Sequence, residues 1–147
     1  MDLEKYFEGV KGRGVLATAD SEGRVDAAIY AKPHFVDKKT VAFIMADRLT
    51  HHNLETNSHA AYLFLEDGKG YKGIRLFLTK LREEKDSDLL YSIRSKRYPS
   101  AKEEGKPRFL VFFKVDKTLP LIGPGNNTEE GEGAGSAKET RQEGPST

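Results

Sequence analysis

Ala46-Asp47-Arg48-Leu49-Thr50-His51-His52-Asn53-Leu54-Glu55-Thr56-Asn57 is the stretch on which the reading of this chain turns. Ahead of it, Thr40 to Ala46 is apolar almost throughout, as in a strand buried on both faces. The polar run that follows suits a short helix, with Thr50 as its cap, Asn53 at the third helical position and Leu54 turned to the core. A strand feeding straight into a helix N-terminus presents unpaired backbone N–H groups and partial positive charge, which together bind phosphate. Arg48 adds a bidentate clamp, Thr50 a hydroxyl donor and His51 an imidazole N–H. A capped surface helix with a stray Arg and two His accounts for the same residues, and caps are far commoner than sites.

Working outward, Leu3, Tyr6, Phe7 and Val10 lie at helical spacing over residues 2–10, and Gly12 and Gly14 are expected to end that helix. Gly14 to Asp20 reads as a first strand, Ser21-Glu22-Gly23 as a turn, and Val25 to Val36 as one longer second strand. Pro33 makes that strand an edge or a bulge. After the Thr40–Ala46 strand and the short helix, Ser58 to Glu66 gives a fourth strand with Ala60, Tyr62 and Phe64 on one face. Asp67-Gly68-Lys69-Gly70 is a turn. Tyr71 to Leu81 is expected as the fifth strand, Glu83 to Arg97 as a helix with Leu89, Leu90 and Ile93 as its apolar stripe, and Arg108 to Val115 as the sixth strand. The fold class is therefore mainly β (α+β): six antiparallel strands curled into a small barrel, with short flanking helices.

The chain has 147 residues, enough for one domain. No Leu, Ile, Val, Phe, Tyr or Met follows Ile122, so residues 124–147 are expected to be a disordered polar tail and residues 1–123 the working domain. Five glutamates against Lys138 and Arg141 give the tail −3; with +1 overall, the body carries +4. That surplus suits a phosphorylated small ligand and falls short of the strongly basic face that nucleic acid asks for. With no cysteine, thiol catalysis, disulfides and thiolate metal sites are excluded. No apolar run approaches membrane-spanning length and the N-terminus carries no secretory signal, so a cytoplasmic protein is expected.

A second candidate segment is Ala27-Ala28-Ile29-Tyr30-Ala31-Lys32. Small residues let a planar ligand approach a strand whose N–H and C=O groups read its edge, and Lys32 offers a phosphate a point charge. An ordinary edge strand under a helix explains it equally well. Other chemistry is weaker. His51 and His52 point about 100° apart on a helix and do not share an ion easily, and no HxxxH spacing helps them, so no metal site is assigned. Neither a phosphate-binding glycine loop nor a nucleophile elbow is present. The strand Lys72-Gly73-Ile74-Arg75-Leu76-Phe77 lacks the second aromatic platform that RNA binding requires.

Taken together, the segments resemble the pyridoxamine 5′-phosphate oxidase-like, FMN-binding split-barrel family over about residues 1–116. The resemblance rests on Gly14-Val15-Leu16-Ala17-Thr18 with its Ser-Glu-Gly turn, the Ala-rich strand to Lys32, the Asp47–Leu54 junction, and Asn53–Ser58 followed by Ala60-Ala61-Tyr62-Leu63-Phe64. It implies a homodimer with FMN between the subunits. Ile29, Tyr30, Ala31 and Lys32 would line the ring and ribityl chain, and Arg48, Thr50 and His51, with Asn53 behind them, would hold the phosphate. Tyr71, Lys72 and Arg75 would reach the site from the partner subunit.

Departures narrow the activity. The oxidases carry an Arg where this chain has Ala27 and a basic Arg-Lys pair where it has Leu49 and Thr50, and their C-terminal substrate segment has no counterpart, which argues against vitamin B6 oxidation. The roles left by the resemblance are flavin reductase, electron carrier or small-molecule oxidoreductase, with no catalytic acid or base named and the redox partner unspecified. The alternatives are a flavin-free binding module, a haem-binding variant using His34 or His59, and a deazaflavin in place of FMN.

Overall fold

The computed structural model describes residues 1–97 and 105–123; the expected tail lies outside them. Asp2 caps the first helix, α1 (Leu3–Glu8), its carboxylate accepting from the Lys5 N–H at 3.2 Å. Leu3 and Phe7 face inward. The helix ends at Gly9, earlier than expected. Gly12 and Gly14 belong instead to strand β1 (Gly12–Ala19). They are strand residues because neighbours crowd them: a Cβ on Gly14 would run into the phenol of Tyr62, and one on Gly12 into the Leu65 carbonyl.

The expected second strand is two strands. β2 (Val25–Tyr30) pairs with β1, the chain leaves the ladder at Ala31–Pro33, and β3 (His34–Asp37) pairs with β4 (Thr40–Ala46). Pro33 has no N–H to give a ladder. Beside it the Lys32 ammonium turns inward to donate to the carbonyls of Phe7 and Val10, at 2.7 and 2.8 Å, just past the end of α1. Next come α2 (Leu49–Thr56), β5 (His59–Glu66), β6 (Gly73–Lys85), α3 (Asp88–Arg97) and β7 (Arg108–Pro120).

Seven strands, not six, form one antiparallel sheet in the order β2-β1-β5-β6-β7-β4-β3. Its outermost strands are consecutive in the chain, so the sheet curls until its ends approach. Across the gap the Tyr30 ring lies 6.0 Å from Phe43, and the Tyr62 hydroxyl of β5 donates to the carbonyls of Tyr30 and Ala31 at 3.2 and 3.0 Å. Irregularities at Phe77/Leu78 and Lys80/Arg82 bend β6 between the two halves of the barrel.

Two further expectations are corrected. Glu83–Lys85 are strand, not helix, because they pair with Val111, Leu110 and Phe109 of β7; the helix begins at Asp88, with the Ser87 hydroxyl accepting from the Leu90 N–H at 3.1 Å. Its buried stripe is Leu90 and Ile93, while Leu89 is exposed. Tyr71 and Lys72 precede β6 rather than lying on it, and β7 runs on to Pro120. The barrel core gathers Leu16, Phe43, Leu54, Tyr62, Phe64, Leu76 and Phe113, and a second layer packs Leu90 and Ile93 on Ala42, Leu110 and Phe112.

Gly14→Ala is expected to displace the fully buried Tyr62 and lower stability by about 2 kcal/mol, the usual cost of overpacking. Denaturant unfolding at unchanged m-value measures it; a loss below 0.5 kcal/mol would mean that the tyrosine moves aside freely.

Candidate functional site

The split between the two sheet ends is a cleft of about 520 Å³. One wall is β2, whose outer edge has no strand partner. The other includes β4, which pairs with β3 only as far as Ala42 and leaves Phe43–Ala46 without a partner on that side. Both walls therefore offer backbone N–H and C=O groups that no ladder uses. Ala42 to Ala46 spans about 13 Å at strand rise, which sets the distance between the cleft's two ends.

At one end stand Arg48, Leu49 and Thr50, the start of α2, with Asp26 opposite. Thr50 does not cap the helix as expected: it sits in the first turn, the cap position is Arg48, and no side chain caps it. The first-turn N–H groups of Leu49, Thr50 and His51 thus lack both intrahelical acceptors and a cap. Arg48 is exposed, and its side chain makes no hydrogen bond or ion pair among the described residues. Thr50, 5 % exposed, donates to Asp26 Oδ2 at 3.5 Å. Tyr30 lies between these groups, and burial pushes its phenol pKa up; Thr50 and Arg48 pull it down by less, while Asp26 adds to the rise.

At the other end are Lys32, His34, Arg94 and Arg97. Arg97 donates to the Lys32 carbonyl at 2.6 Å. Burial, followed by the charges of Arg97 and Lys96, pushes the His34 pKa below its ordinary value, with Glu4 opposing. Burial thus favours its neutral imidazole.

His51 is buried, not in the cleft. Its ring stacks on Phe109 at 3.7 Å, and its Nε2 lies 3.0 and 3.1 Å from the two Glu83 oxygens. A carboxylate only accepts, which assigns the proton to Nε2. Nδ1 has no hydrogen-bond partner; the nearest carboxylate, Asp47, is 3.8 Å away and accepts from His52 instead. Lys80 also donates to Glu83, at 2.9 Å. Burial raises the Glu83 pKa, but the hydrogen bonds from Lys80 and His51 outweigh it and hold the carboxyl below its ordinary range.

Of the residues singled out from the sequence, the structure brings Ile29, Tyr30, Ala31, Lys32, Arg48 and Thr50 to the cleft. Lys32 contributes stem and backbone there, its ammonium being held by the α1 carbonyls. Asn53 is buried behind α2, donating to the Thr18 hydroxyl at 3.0 Å. Tyr71 and Lys72 lie in the loop before β6. Arg75 donates to the carbonyls of Pro120 and Gly123, so these three are not brought to the cleft within one subunit. Asp26, Arg94 and Arg97 were missed. Period-2 spacing from Ala28 and Tyr30 would have placed Asp26 on the inner face, and the arginines flank the apolar position Ile93 on α3.

No protein-family profile and no curated protein matches the chain. Solved structures match its fold. An FMN-binding protein from Syntrophomonas wolfei superposes with a TM-score of 0.62 at 20 % identity, over 74 % of this chain and 76 % of that one. A protein of Lactobacillus delbrueckii provisionally described as a pyridoxamine 5′-phosphate oxidase gives 0.59 at 16 %, over 78 % and 88 %. HutZ, a haem storage protein from Vibrio cholerae, gives 0.59 at 17 %, over 80 % and 91 %. The fold is that of the pyridoxamine 5′-phosphate oxidase-like split barrels, as the sequence resemblance implies.

Glu83→Gln tests the buried clamp on His51. A carboxyl whose folded pKa is depressed stabilises above its unfolded value of 4.5, and that contribution is lost as pH falls through and below it. The substitution should therefore cost about 1 kcal/mol at pH 7, allowing for partial exposure, and less near pH 3. Unfolding curves at the two pH values check this; an equal cost at both would assign the effect to packing.

Proposed function

We propose that the chain is an FMN-binding redox protein that works as a homodimer. The observation that carries this reading is the end of the cleft at α2: an uncapped helix start, three first-turn N–H groups without acceptors, and an Arg48 side chain without a partner among the described residues. That donor set fits a phosphate. Arg48 and the N–H groups of Leu49, Thr50 and His51 would hold it. The unpaired edges of β2 and β4 would read the polar rim of the flavin, and the half-buried ring of Tyr30 with the buried ring of Phe43 would exclude water on the inner side. Bound there, FMN supplies one- or two-electron transfer, which the protein tunes by orientation and nearby charge. The positive end at Arg94 and Arg97 favours negative charge in the cleft. A structural neighbour that binds FMN supports the same ligand class.

The homodimer is supported by the outward face of β2, β1, β5 and β6. Ile29, Val15 and Leu63 stand in one register row, with Ala27, Ala17 and Ala61 in the next. Val25 is 83 %, Ile29 75 % and Leu63 39 % exposed, although each is apolar. An apolar patch with small residues at its middle suits a second copy of itself about a two-fold axis. Ile29 also borders the cleft, so a copy seated on this face would wall the open side of the ligand site.

One observation favours a second reading, haem. His34 lines the cleft and is held neutral, the form that ligates iron. His59, the other histidine considered, is exposed on the outer strand face. The absorption spectrum of the purified protein separates the readings: flavin bands after FMN is added and the excess removed, or a Soret band.

Arg48→Ala is expected to weaken FMN about tenfold or more in a fluorescence titration, the loss of one charged hydrogen bond. Unchanged affinity would remove the phosphate from α2. Leu63→Asp should turn a dimer into a monomer by analytical ultracentrifugation, because it buries a charge twice in a symmetric interface. A wild-type protein that sediments as a monomer would overturn the assembly.

A further inference from the structure

We infer that Asp26 is a resident anion at the phosphate end of the cleft and sets how strongly the site favours phosphorylated over unphosphorylated ligands. This rests on the FMN reading for its ligand and goes beyond it in naming a residue that works against the phosphate.

Asp26 points into the cleft from β2, on the same face as Ala28 and Tyr30. Its backbone is fixed by the ladder to Thr18 of β1, which holds the base of the side chain at the cleft wall. Its Oδ2 meets the Thr50 hydroxyl at 3.5 Å, a long and weak hydrogen bond, which places a negative charge beside the first turn of α2. Among the described residues the Arg48 guanidinium makes no ion pair with it. The uncapped helix start has only Asp26 as an anion facing it from β2 across the cleft. In effect the fold carries its own weak substitute for the phosphate.

Two physical consequences follow for an incoming phosphate. The first is charge: a phosphomonoester carries close to two negative charges at pH 7, and a fixed carboxylate across the same helix start repels it. The second is hydrogen-bond direction. A threonine hydroxyl has one proton, and Thr50 is in contact with both Tyr30 and Asp26. An ionised carboxylate accepts only, so that proton is directed to Asp26 and not to the ligand. An amide at position 26 can donate to Thr50 instead, which frees the hydroxyl proton for a phosphate oxygen. Asp26 thus lowers the phosphate's contribution twice, while leaving a neutral ring and its contacts along β2 and β4 untouched.

The test measures the affinity of wild type, Asp26→Asn and Asp26→Ser for FMN, riboflavin and inorganic phosphate. Flavins are followed by fluorescence quenching, and phosphate by the amide resonances of Leu49, Thr50 and His51. Both variants should bind FMN and inorganic phosphate about tenfold more tightly than wild type, Asp26→Asn the more so, with riboflavin changed by less than twofold. FMN affinity that is unchanged or weaker in both variants overturns the inference, as does an equal shift for FMN and riboflavin. A protein that takes neither flavin sinks the FMN reading alone. The phosphate titration then decides the role of Asp26: tighter phosphate in the variants sustains it, and no change ends it.

Discussion

The cleft exists because the chain cannot carry one strand from Val25 to Val36. Pro33 withholds a ladder donor, and Lys32 is drawn under the sheet to the carbonyls of Phe7 and Val10. These carbonyls belong to the C-terminal end of α1, where a cation is favoured by the helix dipole and by direct hydrogen bonds. The interruption sends β2 and β3 to opposite ends of the sheet. With only two strand positions of β3 in regular register on β4, the remainder of that edge is left open opposite β2. A continuous β2–β3 strand would pair along its whole length and leave no split. The Tyr62 hydroxyl, bonded to the Tyr30 and Ala31 carbonyls on either side of the Ala31 Cα, holds the break in place from the core. Gly14 provides the room that phenol occupies.

Much of this was legible in the sequence where periodicity and turn residues agreed. Thr40–Ala46 is a strand with the expected ends, and the alternation of Ala60, Tyr62 and Phe64 identified the inward face of β5. Pro33 was read as a disturbance of a strand, but a local rule cannot say that the two pieces end on different edges; that depends on Lys32 finding a helix end twenty-odd residues away. Glu83–Lys85 looked helical because Glu and Lys favour helices, and the ladder to Val111, Leu110 and Phe109 overrode the preference. For the candidate site, the strand-to-helix junction was visible, whereas the division of labour inside it was not. Thr50 and His51 both have the chemistry of a phosphate ligand. Nothing in the spelling shows that one faces the cleft while the other is buried between Phe109 and Glu83.

His51 shows how a polar residue can support a site without touching it. Its Nε2 proton is held by Glu83, which Lys80 also engages, so the first turn of α2 is tied to the bent middle of β6 by a buried, charge-assisted contact. Asn53 ties the same helix to Thr18 of β1. α2 is therefore fixed at two points on the barrel, on different strands, before any ligand arrives. A helix start held this firmly can leave its N–H groups uncapped and still keep its direction, which is what preorganised anion binding requires. The cost falls on Nδ1 of His51, buried without a partner.

The walls of the cleft are mostly backbone, and that shapes how the fold can diverge. Unpaired N–H and C=O groups along Ala28–Ala31 and Phe43–Ala46 persist whatever side chains the sequence places there, provided the residues beside them stay small enough for a planar ligand. Neighbours at 16 to 20 % identity can therefore share the split while one is described as FMN-binding and another as a haem storage protein. Discrimination passes to the few side chains at the two ends. Here those are Asp26, Arg48 and Thr50 at the helix start, and His34 with Arg94 and Arg97 thirteen or so ångströms along, by strand rise. The two ends are unequal: among the described residues the far one presents the guanidinium groups of Arg94 and Arg97, the near one a cation and a carboxylate facing the same helix. A ligand charged at one end only must therefore weigh a strong anion seat compromised by Asp26 against a diffuse positive field that lacks a helix terminus. For a ligand bound as proposed, orientation would follow from that inequality, and the residues that set it lie on β2 and α3, outside the junction that first suggested a phosphate seat.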